Sequence, residues 1–181
     1  MTTDSSGLVI AATQRWLERA VIGLNLCPFA KAVHVKQQVR YIVSAAAMQD
    51  ELLVDLEREL VFLADADPAQ VDTTLLIAPG LFEEFLDFHF FLMEAEALLK
   101  RMDLQGTLQI ASFHPQFEFA GNAPDDVANY TNRSPYPTLH LLREASIDRA
   151  VAAFPDASAI YERNIETLER LGPEGWDDLW K

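Results

Sequence analysis

The residues that could carry chemistry concentrate between Ser112 and Glu144. His114 and His140 have the side chain whose ordinary pKa lies closest to neutrality, so either can take or give a proton. Glu144 follows His140 by four residues, a proton-handling pair if the segment is helical. Arg133 and Arg143 carry planar forks suited to a carboxylate or phosphate, and Asn132 and Tyr136 add hydrogen-bonding groups beside them. Outside this stretch, Cys27 stands before Pro28, where a helix start would make it a candidate nucleophile. These residues suggest acid–base catalysis by His114, with His140, Glu144 and Cys27 in support. Arg133, Arg143, Asn132 and Tyr136 would hold a small anionic molecule. A metal site built from His114, His140 and Cys27 or a carboxylate is the alternative. A non-catalytic binding or interaction protein is the third reading. Nothing names a cofactor.

The elements that must position these residues follow from hydrophobic period. Residues 8–26 read as a helix. Val39 to Ser44 reads as a strand, Met48 to Ala64 as a helix, Thr73 to Ala78 as a strand. Leu81 to Met102 is a third helix, and Leu108 to Phe113 a third strand. Strands alternating with helices predict an α/β fold with a small, mostly parallel sheet of about three strands; α+β is the alternative. Ligands of such sheets sit beyond the carboxyl ends of the strands, where His114 falls. A long loop follows, with four of the nine prolines between Ser112 and Glu144 and aromatic residues that want burial. Such a loop is ordered and suited to a site. Thr138 to Ala145 reads as a short helix that puts His140, Arg143 and Glu144 on one face. Helices over Ser146–Phe154 and Asp156–Leu171 complete the C-terminal part. Gly172-Pro173 stops the last, and Trp176 and Trp180 pack back on the body.

Length and composition bound the partners. The 181 residues fit a single domain, 1–181. The net charge is −14, with an excess of eleven acids over bases within residues 48–104. An acid-rich chain repels phosphate backbones, so neither nucleic acid nor anionic membrane is expected as a partner. The polar start lacks the pattern of a signal peptide, and one cysteine fits a reducing compartment, so a cytoplasmic location is expected. The third helix, apolar nearly all round with Phe82, Phe85, Phe88, Phe90 and Phe91, is suited to burial or to a homodimer interface.

Several blocks resemble a bacterial family known as domain of unknown function 1415. They are Trp16-Leu17-Glu18-Arg19, Val21 to Ala30, Thr74-Leu75-Leu76, Gln109 to Pro115, Asn132 to Pro137 and His140 to Glu144. The resemblance spans nearly the whole chain. It implies a bacterial cytoplasmic protein of one domain and brings no activity with it.

Overall fold

The computed structural model describes residues 3–153 and 158–181. Its centre is a four-stranded sheet in the order β1-β2-β4-β3, with β1 Val39–Val43, β2 Thr73–Ile77, β3 Leu108–Phe113 and β4 Thr138–Arg143. β1 and β2 are parallel, while β4 is antiparallel to both β2 and β3. β1, β2 and β3 therefore run the same way, as the alternation of strands and helices implies. The α/β class holds, but the sheet is mixed.

The segment Thr138–Arg143 corrects the expected helix. It is the strand that joins β2 to β3, and Leu139 and Leu141 are buried in it. Two causes override the helical reading. Pro135 and Pro137 bias the preceding residues toward extended backbone. A run this short satisfies either period, and the open edges of β2 and β3 on both sides supply ladder bonds that a helix would leave unmade.

Period two then sorts every side chain to a face. One face carries Ile42, Leu76, Ile110, Leu139 and Leu141, packed under α3 (Gln49–Asp65) and α4 (Phe85–Arg101). Leu52, Leu56, Leu60 and Leu63 of α3 and Phe88, Phe91 and Ala95 of α4 recur at helical spacing and are almost fully buried there. Arg40 of β1 is tied to the buried Glu59 of α3 through Nε–Oε2 at 2.8 Å and Nη2–Oε1 at 3.3 Å. The other face carries Val39, Tyr41, Val43, Leu75 and Ile77 against Val9 of α1 (Thr3–Trp16) and Tyr136.

The first helix does not continue regularly to residue 26. A π-helical turn, Leu17–Ile22, follows α1. Its extra residue per turn rotates the apolar stripe, so Trp16, Leu17, Ala20 and Val21 are all buried together. The short α2 (Ala30–Val35) comes next. At the other end, α5 (Glu144–Ala153) leaves β4, and α6 (Ser158–Asp178) packs on a 3-10 turn, Val127–Asn132. The expected helix ends at Phe154 and Asp156 lie outside the described residues. Gly172, at φ +66°, breaks α6 as expected, and Pro173 opens its last turns.

Candidate functional site

The two histidines at the centre of the expected site lie on opposite faces of the sheet. His114 leaves β3 toward α4, stacked on Phe88 at 5.4 Å and tilted against Phe85 at 5.5 Å. It is 1% exposed. Its Nδ1 accepts from the amide of Gln116 at 3.0 Å, which leaves Nε2–H to donate to the carbonyl of Phe82 at 2.9 Å. Both nitrogens are used. Burial holds its pKa below the ordinary value, against smaller raising contributions from the Phe82 carbonyl and Glu84. Phe82 itself sits at φ +60°, a strained conformation for an aromatic residue. His114 therefore fastens the β2–α4 loop to the loop after β3.

The expected anion clamp also divides. Arg143 points to the α3 side and is 9% exposed; its Nη2 donates to the carbonyls of Ala66 at 2.8 Å and Val71 at 3.0 Å. It closes the connection between α3 and β2. Arg133 donates from Nη2 to Pro124 at 2.6 Å and from Nε to Phe117 at 3.5 Å. Asn132 donates to the Ser112 carbonyl at 3.1 Å, and the Tyr136 carbonyl accepts from Ser134 and Thr138. Asn129, fully buried, bonds Phe119, Asn122 and Ala123. The long loop is ordered by its own polar groups. Glu144 starts α5, and its amide donates to Thr107. It does not pair with His140, because a strand separates their positions. Among the described residues no three of His, Cys, Asp and Glu come together as metal ligands.

His140 and Cys27 share one cavity, of about 640 Å3, over the face opposite α3 and α4. Leu75, Leu142 and Phe113 of the sheet and Leu17, Val21, Phe29 and Val33 of the N-terminal segment make it largely apolar. The volume falls within the roughly 300–1,000 Å3 that small-molecule sites occupy. The cavity lies over the face of the sheet, not beyond the carboxyl ends of its strands. The cap of α2 is Phe29, so Cys27 does not stand at the start of that helix as expected.

One polar relay occupies this apolar setting. Thr73 Oγ1 donates to the Leu141 carbonyl at 2.7 Å and lies 2.6 Å from His140 Nε2. A hydroxyl has one proton, so the second bond requires Nε2–H as donor. Nδ1 is left without a hydrogen bond among the described residues. Burial pushes the His140 pKa down to about 4. The ring is neutral at physiological pH, with an unused acceptor. Lys36, Arg149 and Asp72 are the charged residues of the lining, a balance of one positive charge. Arg149 Nη2 donates to Ser146 Oγ at 2.8 Å, and Ser146 donates to Asp72 Oδ1 at 2.6 Å. Sequence reasoning missed Thr73, Lys36 and Arg149. The signal for Thr73 was period two in Thr73-Thr74-Leu75, which is usable only once Thr138–Arg143 is known as the neighbouring strand.

Among the described residues no helix is long and apolar enough to cross a membrane. No curated protein and no solved structure matches the chain. The blocks that supply the relay, the cavity walls and the ordered loop all lie within residues 8–178, which match the family described as "Protein of unknown function (DUF1415)", and the chain belongs to that family.

Proposed function

We propose that the protein binds a small amphipathic anion in the cavity over β2 and β4, and that His140 is its hydrogen-bond acceptor. The apolar body of the ligand lies over Leu75, Leu142 and Phe113. Its anionic end lies near Lys36 and Arg149. A hydroxyl or similar donor along the body hydrogen-bonds to His140 Nδ1. The observation that carries this reading is the neutral imidazole, fixed by Thr73 and with one nitrogen unused, in the wall of a large apolar cavity. A neutral ring accepts a hydrogen bond at Nδ1 where an imidazolium cannot. Burial makes the ring a weak base, so the arrangement suits hydrogen-bond recognition of the ligand better than proton abstraction from it. A metal protein is not favoured, since His114 and His140 face apart.

The test is displacement of anilinonaphthalene sulfonate, an apolar anion, by decanoate, decanol and hydroxylated decanoates. The larger cavity is read as the dye fraction that decanoate displaces, and we expect decanoate to displace it better than decanol. Lys36→Glu with Arg149→Glu weakens decanoate by about tenfold or more, the effect of reversing two nearby charges. Ala150→Trp, which fills the cavity from α5, removes the decanoate-displaceable dye binding. At least one hydroxydecanoate binds more tightly than decanoate, and His140→Phe abolishes that preference. Decanoate-displaceable dye binding unchanged in Ala150→Trp excludes the cavity, and a preference unchanged in His140→Phe excludes the histidine.

A further inference from the structure

A second cavity, of about 460 Å3, lies between α1, the long loop and the C-terminal end of α6. All three tryptophans of the protein, Trp16, Trp176 and Trp180, line it together with Tyr130. Trp16 is held edge-on to Phe113 at 5.0 Å. Trp176 tilts against Tyr130 at 5.1 Å and meets Trp180 edge-on at 5.4 Å. Docking of the tail accounts for part of this clustering, and the bond from Arg19 to the Leu179 carbonyl serves the same end.

Tail packing does not account for the charges. Arg15 and Arg133 line the cavity, with Asp177 as the one carboxylate, so the lining is positive in a chain of net charge −14. Arg133 is pre-organised. Its guanidinium lies 4.5 Å above the Tyr130 ring, and the carbonyls of Pro124 and Phe117 hold Nη2 and Nε. Its Nη1 has no hydrogen bond among the described residues, and Arg15 has no ion pair there. Ordering the cation before a ligand arrives lowers the entropic cost of binding. Aromatic walls alone would also accept an organic cation, but two guanidinium groups repel one.

We propose that this cavity is a second binding site, taking a planar aromatic molecule that carries a phosphate or carboxylate. The ring stacks among Tyr130, Trp176 and Trp180, over the nearly buried edge of Trp16, and the anion takes the free donors of Arg133 and Arg15. Trp16 lines both cavities, but the two sites stand on different residues otherwise.

The experiment uses the protein's own tryptophan fluorescence, because every indole in the chain reports on this cavity. Adenosine monophosphate and phenylacetate are titrated separately, with adenosine, phenylacetamide, inorganic phosphate and choline as comparators. We expect saturable quenching by at least one of the two aromatic anions. A response to the nucleotide alone identifies a phosphate ligand, and a response to phenylacetate alone a carboxylate. Adenosine and inorganic phosphate bind about tenfold more weakly than the nucleotide or worse, and phenylacetamide likewise against phenylacetate, the loss expected when a charge-assisted pair is removed. Arg133→Gln weakens binding. Because Arg133 also holds the loop, the exposed Arg15→Gln is the decisive variant, with an unchanged melting temperature and an affinity reduced about fivefold or more. Arg58→Gln, on the α3 side, leaves binding as in the wild type. The proposal is overturned if neither anion gives saturable quenching, if choline binds in preference, or if Arg15→Gln binds like the wild type.

Discussion

The proton on His140 is decided by two atoms of Thr73's surroundings. Because the threonine hydroxyl is committed to the Leu141 carbonyl, the imidazole must be the donor, and burial keeps it from charging. The consequence for stability has a definite sign. The folded state binds no proton at His140 until the pH approaches about 4, whereas an unfolded histidine titrates near 6.5. Between those values the unfolded chain takes up the extra proton, so stability is full above about pH 6.5 and is lost as the pH falls toward 4. At roughly 1.4 kcal/mol per pH unit the loss reaches up to about 3 kcal/mol, less where water reaches the ring. His114 is lowered in the same direction and adds to the wild-type slope. His140→Gln keeps a donor for Thr73 and removes the titration. Urea denaturation at a series of pH values should show a shallower acid slope for this variant; equal slopes would count against a neutral, half-buried His140. In the sequence the two histidines look alike, each flanked by apolar residues. What separates them is which face of the sheet each strand turns inward, and that depends on partners distant in sequence.

At the scale of elements, the sequence order of strands and helices was legible because each of β1, β2, β3, α3 and α4 carries its own period. Thr138–Arg143 was not, since six residues fit either period and the deciding ladder bonds come from β2 and β3. The break between α1 and the π-helical turn was equally hidden, although Gly23 marks its end. A Cβ at Gly23 would stand 2.3 Å from the Arg19 carbonyl oxygen, a backbone atom that cannot move alone. The π-helical turn sets Leu17 and Val21 in the wall of the larger cavity. Gly23→Ala is therefore expected to cost roughly 1–3 kcal/mol, as overpacking does, and to weaken dye binding at that cavity by displacing the wall. Chemical denaturation and the dye titration measure the two effects. A variant as stable as the wild type, with the same dye affinity, would show that the turn tolerates a side chain and does not shape the site.

Across the whole molecule, α4 presents an apolar stripe on its outer side. Leu86, Phe90 and Met93 are 60%, 56% and 64% exposed, at the i, i+4, i+7 spacing of one helix face. Of the two expectations for this helix, burial describes the side bearing Phe88 and Phe91. The ends of the stripe differ in charge: Glu83 and Glu84 stand just ahead of the helix, Lys100 and Arg101 at its close. A second copy laid antiparallel places Phe90 against Met93 and each acidic end against a basic one, the self-complementarity that a two-fold interface requires. Asp87 and Glu94 flank the stripe and oppose one another in that pairing, and each chain brings its net charge of −14. Association driven by apolar contact against such repulsion strengthens as salt screens the charges. Sedimentation at rising protein concentration should therefore show a dimer whose population grows from low to moderate salt, and Phe90→Glu with Met93→Glu should leave a monomer that still binds the dye. A monomer at all concentrations and salts, or a dimer unaffected by the two substitutions, would place the stripe outside any interface between copies of this chain.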